Sequence, residues 1–155
     1  MTNFNEQVYK DRMRMRGTPA ERQFVVYAKK MGWHGAKYGF EQGVEHFWKV
    51  PEVIRATPDF VISSPVPMLV EVKGCGKDGI IKLKERDLTA LESWNHMADV
   101  WFFFYDSHRK RVSFQAYPSI NEVVMDSDIV QDIYPDNNAL YYKLPVDKIK
   151  WEKIE

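Results

Sequence analysis

The 155-residue sequence contains one cysteine, Cys75, and four histidines that show no metal-ligand spacing. A single cysteine excludes an intramolecular disulfide framework and a cluster of thiolate metal ligands, so we expect a reducing compartment. Cys75 lies two residues from Lys73, which favours a lowered thiol pKa, but a cysteine nucleophile needs a histidine partner and the sequence indicates none. The sequence therefore points away from thiol chemistry.

Long apolar runs, internal repeats, a signal peptide and a Ser/Gly/Pro-rich linker are also missing. A membrane-spanning helix needs about 20 apolar residues, which no segment provides. We therefore expect a cytoplasmic protein. Because 45% of the residues are apolar, the chain can bury a substantial core, and residues 1–155 are predicted to form one domain.

An excess of charge of one sign is absent as well: 22 lysines and arginines balance 22 aspartates and glutamates, and the pI is near 6.9. The charges are unevenly placed, with a basic N-terminal arm (residues 1–17) and an acidic C-terminal region (residues 119–155). Arg12, Arg14 and Arg16 of the arm can follow a DNA phosphate backbone without reading its sequence. A solvated extension that binds nothing is the alternative.

The most informative residues that are present are Asp59 and the triplet Glu71-Val72-Lys73. Asp59 opens the apolar run 60–62, the triplet follows the apolar run 68–70, and the Ser- and Pro-rich residues between them are typical of a turn. Folding the two runs back on each other brings two carboxylates and one lysine to one edge of a sheet. This layout is typical of a divalent-metal phosphodiesterase site.

The chemistry of such a site needs these residue types. Asp59 and Glu71 supply hard oxygen ligands that suit Mg²⁺, and the backbone carbonyl of Val72 is a further candidate ligand. Lys73 can orient a metal-activated water and offset the charge that builds up on phosphorus. Because side chains alternate along a strand, Glu71 and Lys73 project to one side while Val72 points into the core. A salt bridge on a solvated strand is the alternative, but the apolar flanks indicate buried strands, where unpaired carboxylates are costly unless a cation meets them.

A helix is predicted upstream, from Thr18 through Met31, with Gly32 as its end. Thr18 as N-cap, Pro19 at the first helical position and Glu21 form a capping box, which is a sufficient structural reason for Glu21. Alternatively, a helix packed beside the strand edge presents Glu21 to the metal, directly or through water. The helical spacing predicts a buried face of Phe24, Val25, Ala28 and Met31.

The order of Glu21, Thr57-Pro58-Asp59 and Glu71-Val72-Lys73-Gly74 resembles the PD-(D/E)xK nuclease superfamily. Within it, the chain most resembles the bacteriophage endonuclease I type of Holliday-junction resolvase. The likeness includes Phe47-Trp48-Lys49-Val50-Pro51 and the short gap between Asp59 and Glu71, and it extends over residues 18–106. The zero net charge departs from the family, whose junction resolvases are usually basic.

The resemblance implies an α/β, restriction-endonuclease-like core. Along the chain, a helix, three strands, a helix and a further strand follow one another, and the strands form a mixed central sheet. It implies that Asp59 and Glu71 bind Mg²⁺ or Mn²⁺, that Glu21 is a further ligand or holds a water, and that Lys73 acts on the attacking water or the scissile phosphate. Family members cut branched DNA, such as four-way junctions, as homodimers, leaving 5′-phosphate and 3′-hydroxyl ends. A phage-encoded chain would do so in the cytoplasm of the host cell.

Two other functions stay open at the level of sequence. One is a nuclease of another specificity on the same core, acting in mismatch nicking, end processing, restriction or repair. The other is a nuclease fold that has lost its activity and binds DNA or protein.

Gly74, Gly76 and Gly79 predict a flexible loop beside the site, and helical spacing predicts a helix over residues 83–97. Four basic residues that follow the triplet are predicted to contact DNA phosphates flanking the cut, although lysines at the start of a surface helix are common. These residues are Lys77, Lys82, Lys84 and Arg86.

Farther along the chain, a buried strand is predicted over residues 100–105 and its partner over residues 112–117, with residues 109–111 presented to DNA or to water. A capping signature at residues 119–122 predicts the start of a short helix. The acidic run from 126 to 138 is predicted to be a solvated loop, because it lacks the glycine and terminal glutamate of a calcium-binding EF-hand loop.

Overall fold

The computed structural model describes residues 18–39 and 51–154, so the predicted basic arm and most of the Phe-Trp-Lys-Val-Pro stretch lie outside the described residues. In the described ranges, none of the helices has the length and apolar character needed to cross a bilayer. The helices are α1 (Pro19–Lys30), α2 (Glu52–Arg55), α3 (Glu85–Met97) and α4 (Tyr117–Val124). The strands are β1 (His34–Lys37), β2 (Phe60–Ser64), β3 (Met68–Gly74), β4 (Ile80–Lys84), β5 (Val100–Asp106), β6 (Arg111–Ala116), β7 (Val130–Ile133), β8 (Leu140–Pro145) and β9 (Glu152–Lys153).

The central sheet has six strands in the order β1-β2-β3-β5-β6-β9. β3 and β5 run parallel, while every other neighbouring pair in this sheet is antiparallel. The parallel pair needs a crossover, which β4 and α3 supply. The helix α1, the meander β1-β2-β3, the helix α3 and the strand β5 thus follow in the expected order, with α2 and β4 inserted between them. The predicted α/β class with a mixed central sheet is confirmed.

The sheet is covered on both faces. On one face, Phe24 of α1 packs with Val70, Val72 and Phe103. On the other face, α3, α4 and a second sheet of three strands, β4-β8-β7, enclose a separate core that includes Leu69. Covering both faces explains why β3 and β5 are nearly continuous apolar runs rather than alternating ones.

The start of α1 matches the sequence prediction, because the Thr18 hydroxyl accepts a hydrogen bond from the Glu21 amide at 3.3 Å. Its buried face matches the prediction at Phe24 and Ala28 and differs from it elsewhere. The buried residues are Ala20, Phe24 and Ala28, spaced four apart, whereas Val25 and Met31 are exposed. The i, i+4 row places two small alanines beside Phe24. Tyr27 adds a second ring, 5.3 Å from Phe103 between centroids, so the helix contacts the sheet through aromatic rings rather than a broad aliphatic stripe.

Three sequence predictions are corrected in the C-terminal half and around β4. Residues 80–84 form a strand instead of leading into a helix, which begins at Glu85. The helix predicted from residue 119 begins at Tyr117, with Pro118 in its first turn. The acidic segment predicted as a loop contains β7, which pairs with β8. All four β7 residues are exposed, so the strand carries no apolar pattern that the sequence could reveal.

The β5–β6 hairpin is held by the side chain of Asp106, which is fully buried. Its carboxylate accepts hydrogen bonds from Arg109 and Arg111, each at 3.1 Å. Burial raises the pKa of Asp106, but these two hydrogen bonds, a third from the Arg109 amide and the charge of Arg109 together outweigh it and hold the pKa below its ordinary value. Arg109 and Arg111 therefore stabilise the turn, and the predicted DNA contact is not what positions them.

Candidate active site

Asp59 is fixed at the point where β2 begins. Its backbone carbonyl accepts hydrogen bonds from the amides of Tyr38 and Gly39, at 2.8 and 3.1 Å. A Cβ atom at Gly39 would lie 3.2 Å from the Asp59 Cα, so the absence of a side chain there permits this close approach. The Asp59 carboxylate accepts a further hydrogen bond from the Val72 amide, at 2.8 Å.

The register of the β2–β3 pair explains why Asp59 meets the triplet. Phe60 lies opposite Val70 in an antiparallel ladder, so the next residues outward are Asp59 and Glu71. At this point the aspartate side chain takes the place of a backbone acceptor for Val72. In a strand, the amide and carbonyl of one residue point to the same side, so the Val72 carbonyl also faces the edge where Asp59 lies.

Glu71 and Lys73 project from the opposite face of β3 to Val72, as predicted. The Lys73 ammonium lies 2.9 Å from the Glu71 carboxylate, and Val72 packs in the core beneath α1. A third acid, Asp87 in the first turn of α3, lies 3.8 Å from the Lys73 ammonium. Lys73 is therefore shared between a strand carboxylate and a helix carboxylate.

A cavity of about 440 Å³ opens at the end of the central sheet, beside Asp59, Glu71 and Lys73. All four residues predicted to be catalytic line it, together with Val72. The proposed assembly of two carboxylates and a lysine at a sheet edge is thus the arrangement that the fold produces. Other lining residues, which the sequence analysis did not assign to the site, are Thr18, Ala20, Tyr105 and Ser107.

The electrostatics of the cavity are those of a site short of positive charge. Burial raises the pKa of Glu71 to about 8, and Asp59 adds to this effect while Lys73 opposes it. Burial also raises the pKa of Asp59, against the lowering effect of the Val72 hydrogen bond. Burial alone would lower the pKa of Lys73, but Glu71 and Asp87 hold it above its ordinary value. Lys73 is therefore charged at neutral pH.

Glu21 reaches the cavity from the other side of the sheet. α1 lies on the Val72 face, whereas Lys73 and Asp87 lie on the α3 face. The Glu21 carboxylate forms an ion pair with Lys37 of β1. Within the described ranges, no group of three or more His, Cys, Asp or Glu side chains lies close enough to hold a metal alone. Glu21 lies close enough for its charge to raise the pKa of Asp59, but among the described residues it does not complete a metal-binding group with Asp59 and Glu71.

The donor set fits Mg²⁺ or Mn²⁺. Two carboxylates, from Asp59 and Glu71, and the Val72 carbonyl face one cavity, and all three are hard oxygen donors. Mg²⁺ is commonly held by one or two carboxylates and completes its coordination with water and substrate phosphate. The raised pKa values of both carboxyls also fit, because a cation would supply the charge that their burial leaves unbalanced.

Cys75 contradicts the lowered thiol pKa that its position near Lys73 suggested. Its pKa is raised, first by burial and then by the charge of Asp106. A raised pKa leaves the thiol protonated and a poor nucleophile. Its place in the cavity wall is a packing position, fixed by the hydrogen bond from its amide to the Tyr105 carbonyl at 3.0 Å.

The loop over residues 75–79, predicted to be flexible, is a closed turn. The Gly76 amide donates to the Ile80 carbonyl at 3.1 Å, and the Gly79 amide donates to the Gly76 carbonyl at 3.0 Å. Gly79 has a φ of +76°, a conformation that glycine adopts without strain. The turn connects the end of β3, which lines the cavity, directly to β4.

The basic residues predicted to contact DNA lie on different elements of the structure. Lys77 lies exposed in this turn, and Arg86 lies in the first turn of α3, 4.0 Å from Asp87. Lys82 lies within β4, whereas Lys84 ends β4 and is the N-cap of α3, so the predicted position at the start of a helix holds for Lys84 and not for Lys82. Arg12, Arg14 and Arg16 lie outside the described residues.

The fold and the site define a restriction-endonuclease-like α/β protein, and comparison with known proteins agrees on the fold. No protein-family model matches the chain, and no curated protein sequence matches it. Among solved structures, it is similar to Hjc, a Holliday junction resolvase from the archaeal hyperthermophile Archaeoglobus fulgidus, with a TM-score of 0.52 and 14% identity over 86% of each chain. It is also similar to D212, a nuclease from a fusselovirus, with a TM-score of 0.51 and 11% identity over 86% of this chain and 80% of that chain.

Proposed function

We propose that this protein is a metal-dependent DNA endonuclease that hydrolyses phosphodiester bonds in branched DNA such as Holliday junctions. The observation that carries the proposal is the hydrogen bond from the Val72 amide to Asp59, which sets Asp59 at the edge occupied by Glu71 and Lys73. The resemblance of these residues to the endonuclease I type of resolvase supports it. So does the fold, shared with proteins named as a Holliday junction resolvase and a nuclease.

Asp59, Glu71 and the Val72 carbonyl would hold Mg²⁺ or Mn²⁺. When bound, such an ion polarises a phosphoryl oxygen and makes a water more acidic. The walls of the cavity then orient the phosphate, because α1 and the β3–β4 turn border the same opening. The Glu21 carboxylate, held by Lys37, takes part through an ordered water.

Lys73 would act as a charged hydrogen-bond donor rather than as a base. Glu71 and Asp87 keep the pKa of its ammonium high, so at neutral pH it holds its protons. An ammonium at this position can orient the attacking water and stabilise the negative charge that develops on the phosphate oxygens. Asp87 would position Lys73 once Glu71 is engaged elsewhere, because its carboxylate lies within 3.8 Å of the same ammonium.

A homodimer is part of the proposal. Resolving a four-way junction requires two coordinated nicks on opposed strands, and a two-fold symmetric dimer supplies two sites related by the symmetry of the junction. Analytical ultracentrifugation of the full chain, alone and with junction DNA, tests this part, and we expect a dimer in the complex.

Cleavage assays on matched substrates test the function. Purified full-length protein is incubated with Mg²⁺ or Mn²⁺ and a synthetic four-way junction, a flap, a mismatched duplex and a linear duplex built from the same sequences. We expect the junction to be cut at least tenfold faster than the linear duplex, leaving 5′-phosphate ends. Lys73→Ala serves as the inactive control, and Lys148→Ala, a change to an exposed lysine of the Val146–Lys148 turn, serves as the matched surface control.

The outcomes separate the alternatives. Preference for flap, mismatched or linear DNA would assign another nuclease specificity to the same site. Binding of DNA without any cleavage in either metal, together with no heat of Mn²⁺ binding in calorimetry, would indicate a nuclease fold that has lost its activity.

A further inference from the structure

The second sheet, β4-β8-β7, has one buried face and one outward face. Ile81, Leu83 and Leu144 are almost completely buried against α3 and α4. Because side chains alternate along a strand, Lys82 and Lys84 point away from this core. The register extends the outward face across the sheet, with Lys82 beside Lys143 and Lys84 beside Tyr141.

Two tyrosines and two lysines form a compact cluster on this outward face. The rings of Tyr134 and Tyr141 lie 4.3 Å apart between centroids. The Lys82 ammonium lies 5.7 Å from the Tyr134 centroid and 5.4 Å from the Tyr141 centroid, and the Lys84 ammonium lies 5.4 Å from the Tyr134 centroid. We call this cluster, together with Lys143, the lysine–tyrosine face.

The face carries positive charge that its own carboxylates do not neutralise. Lys143 is paired with Asp132 at 3.0 Å. Within residues 18–39 and 51–154, no carboxylate lies within ion-pair distance of Lys82 or Lys84, whose contacts are the two aromatic rings. A cation over an aromatic ring gains about 0.5–1 kcal/mol at an exposed site, which restrains a flexible side chain without cancelling its charge.

The lysine–tyrosine face is suited to bind the phosphates of DNA rather than its nucleobases. Stacking of an unpaired base needs an open aromatic ring, but ammonium groups lie over the Tyr134 ring and Tyr141 is buried. Two restrained ammonium groups side by side suit the regularly spaced phosphates of a DNA backbone, which are bound without regard to sequence.

A short stretch of chain connects the lysine–tyrosine face to the candidate active site. Lys84 immediately precedes α3, and Asp87 in the first turn of α3 lies 3.8 Å from the Lys73 ammonium. One helical turn rises about 5.4 Å. Lys84 is therefore about one turn of helix from Asp87, which contacts Lys73, and Lys82 lies two residues farther along β4.

We propose that the lysine–tyrosine face binds the phosphate backbone of the DNA whose scissile bond enters the cavity. This inference rests on the proposed nuclease function and names the surface that holds its substrate. The charge of the face comes from Lys82 and Lys84, whereas the C-terminal region, which is acidic overall, contributes the rings of Tyr134 and Tyr141.

Binding of a fluorescent four-way junction, followed by anisotropy at several salt concentrations without Mg²⁺, tests the inference. Lys82→Gln/Lys84→Gln is expected to weaken binding at least tenfold near 0.1 M salt. It should also reduce the slope of log K against log salt by about 2, since each phosphate contact contributes about 0.9 to that slope. The charge-matched control is Lys148→Gln/Lys153→Gln, which removes two exposed lysines elsewhere and should leave affinity and slope unchanged.

Further variants separate charge and ring effects from misfolding. Lys82→Arg/Lys84→Arg keeps both charges and should restore binding and the salt slope. Tyr134→Phe keeps the ring and should bind like the unaltered protein. Tyr134→Leu removes the ring beneath the Lys84 ammonium and one of the two rings near Lys82, and should weaken binding about threefold. Circular dichroism melts of each variant identify any that fail to fold.

Failure of this inference is distinguishable from failure of the proposed function. Unchanged affinity and salt slope in the folded Lys82→Gln/Lys84→Gln variant would overturn the inference, while Mg²⁺-dependent cleavage that requires Lys73 would still support a nuclease. Absence of DNA binding by the unaltered protein would overturn both. An equal loss in the Lys148→Gln/Lys153→Gln control would show a general charge effect and would also overturn the inference.

Discussion

The Asp59 carboxylate accepts a hydrogen bond from the Val72 amide at 2.8 Å. This contact ends the β2–β3 ladder with a side chain instead of a backbone carbonyl, and so joins strand pairing to the placement of an acid. The same carboxylate is buried enough for its pKa to be raised. One carboxylate oxygen of Asp59 thus stabilises the fold, while the charge of the carboxylate lies in the cavity, where a cation would balance it.

Asp59→Asn is expected to stabilise the metal-free protein at neutral pH. Because folding raises the pKa of Asp59, the ionised carboxylate is less favourable in the folded than in the unfolded chain. Asparagine can keep the Val72 hydrogen bond without the charge. We expect the melting temperature in EDTA to rise by about 2–4 °C, which corresponds to ~1 kcal/mol in a chain of this size.

The same variant should lose its response to metal. Saturating Mn²⁺, at about 100 times its dissociation constant, should stabilise the unaltered protein by ~2.7 kcal/mol and Asp59→Asn by far less. An Mn²⁺-induced rise in melting temperature that is equal in both proteins would remove Asp59 from the ligand set.

Glu71→Gln and Lys73→Ala should each reduce cleavage by about 10²–10⁴-fold, the range for loss of a group that acts on the reacting atoms. Both side chains line the cavity and lie 2.9 Å apart. Folding and junction binding should remain largely intact, as measured by circular dichroism and anisotropy. Cutting at the original rate by either variant would refute the site assignment.

Asp87→Asn should lower kcat about tenfold, equivalent to ~1.4 kcal/mol, with little change in KM. The reason is that Asp87 contacts Lys73 and not the region where substrate enters. Asp87→Glu restores the carboxylate and should recover most of kcat, which a purely structural role in α3 would not require. A rise in KM with unchanged kcat would instead place Asp87 in DNA binding.

Glu21→Gln should weaken Mn²⁺ binding less than Asp59→Asn does. Glu21 is paired with Lys37 and approaches from the α1 face of the sheet, so we expect a loss of about tenfold in calorimetric affinity. A loss as large as that of Asp59→Asn would make Glu21 a direct ligand.

Acid stability should depend on Asp106. Its pKa is depressed in the folded chain, so its contribution to stability is complete above the unfolded pKa of about 3.9 and is lost as pH falls through the lower folded value. Asp106→Asn should cost about 2 kcal/mol at pH 7, because two charge-assisted hydrogen bonds are weakened. In urea unfolding, the difference between the two proteins should shrink below about pH 3.9; a constant difference would argue against this assignment.

Much of the central sheet could be predicted because its strands carry strong local signals. The runs that became β2, β3 and β5 are apolar and bounded by turn residues or charges, so their type and limits follow from the sequence. The position of Asp59 opposite Glu71 followed from the short turn between β2 and β3. For these elements, local pattern and tertiary packing agree.

The strands β4 and β7 of the second sheet could not be predicted, for a physical reason. Ile81 and Leu83 alternate over a strand of only five residues, and Leu83 also extends the helical spacing of Leu88 and Leu91, so strand and helix patterns overlap. β7 is an exposed edge strand that depends on pairing with β8. The contact between Asp87 and Lys73 joins a helix to a strand, and an acid in the first turn of a helix is already explained by the helix dipole.

The turn between β3 and β4 has a consequence for where DNA would be cut. Only residues 75–79 separate the strand that carries Lys73 from the strand that carries Lys82 and Lys84, and hydrogen bonds close this turn. In the proposed complex, this turn would therefore help to set the distance between the scissile phosphate and the phosphates bound by the two lysines. Because β4 is also held by its pairing with β8, that distance would depend on the second sheet as well as on the length of the turn.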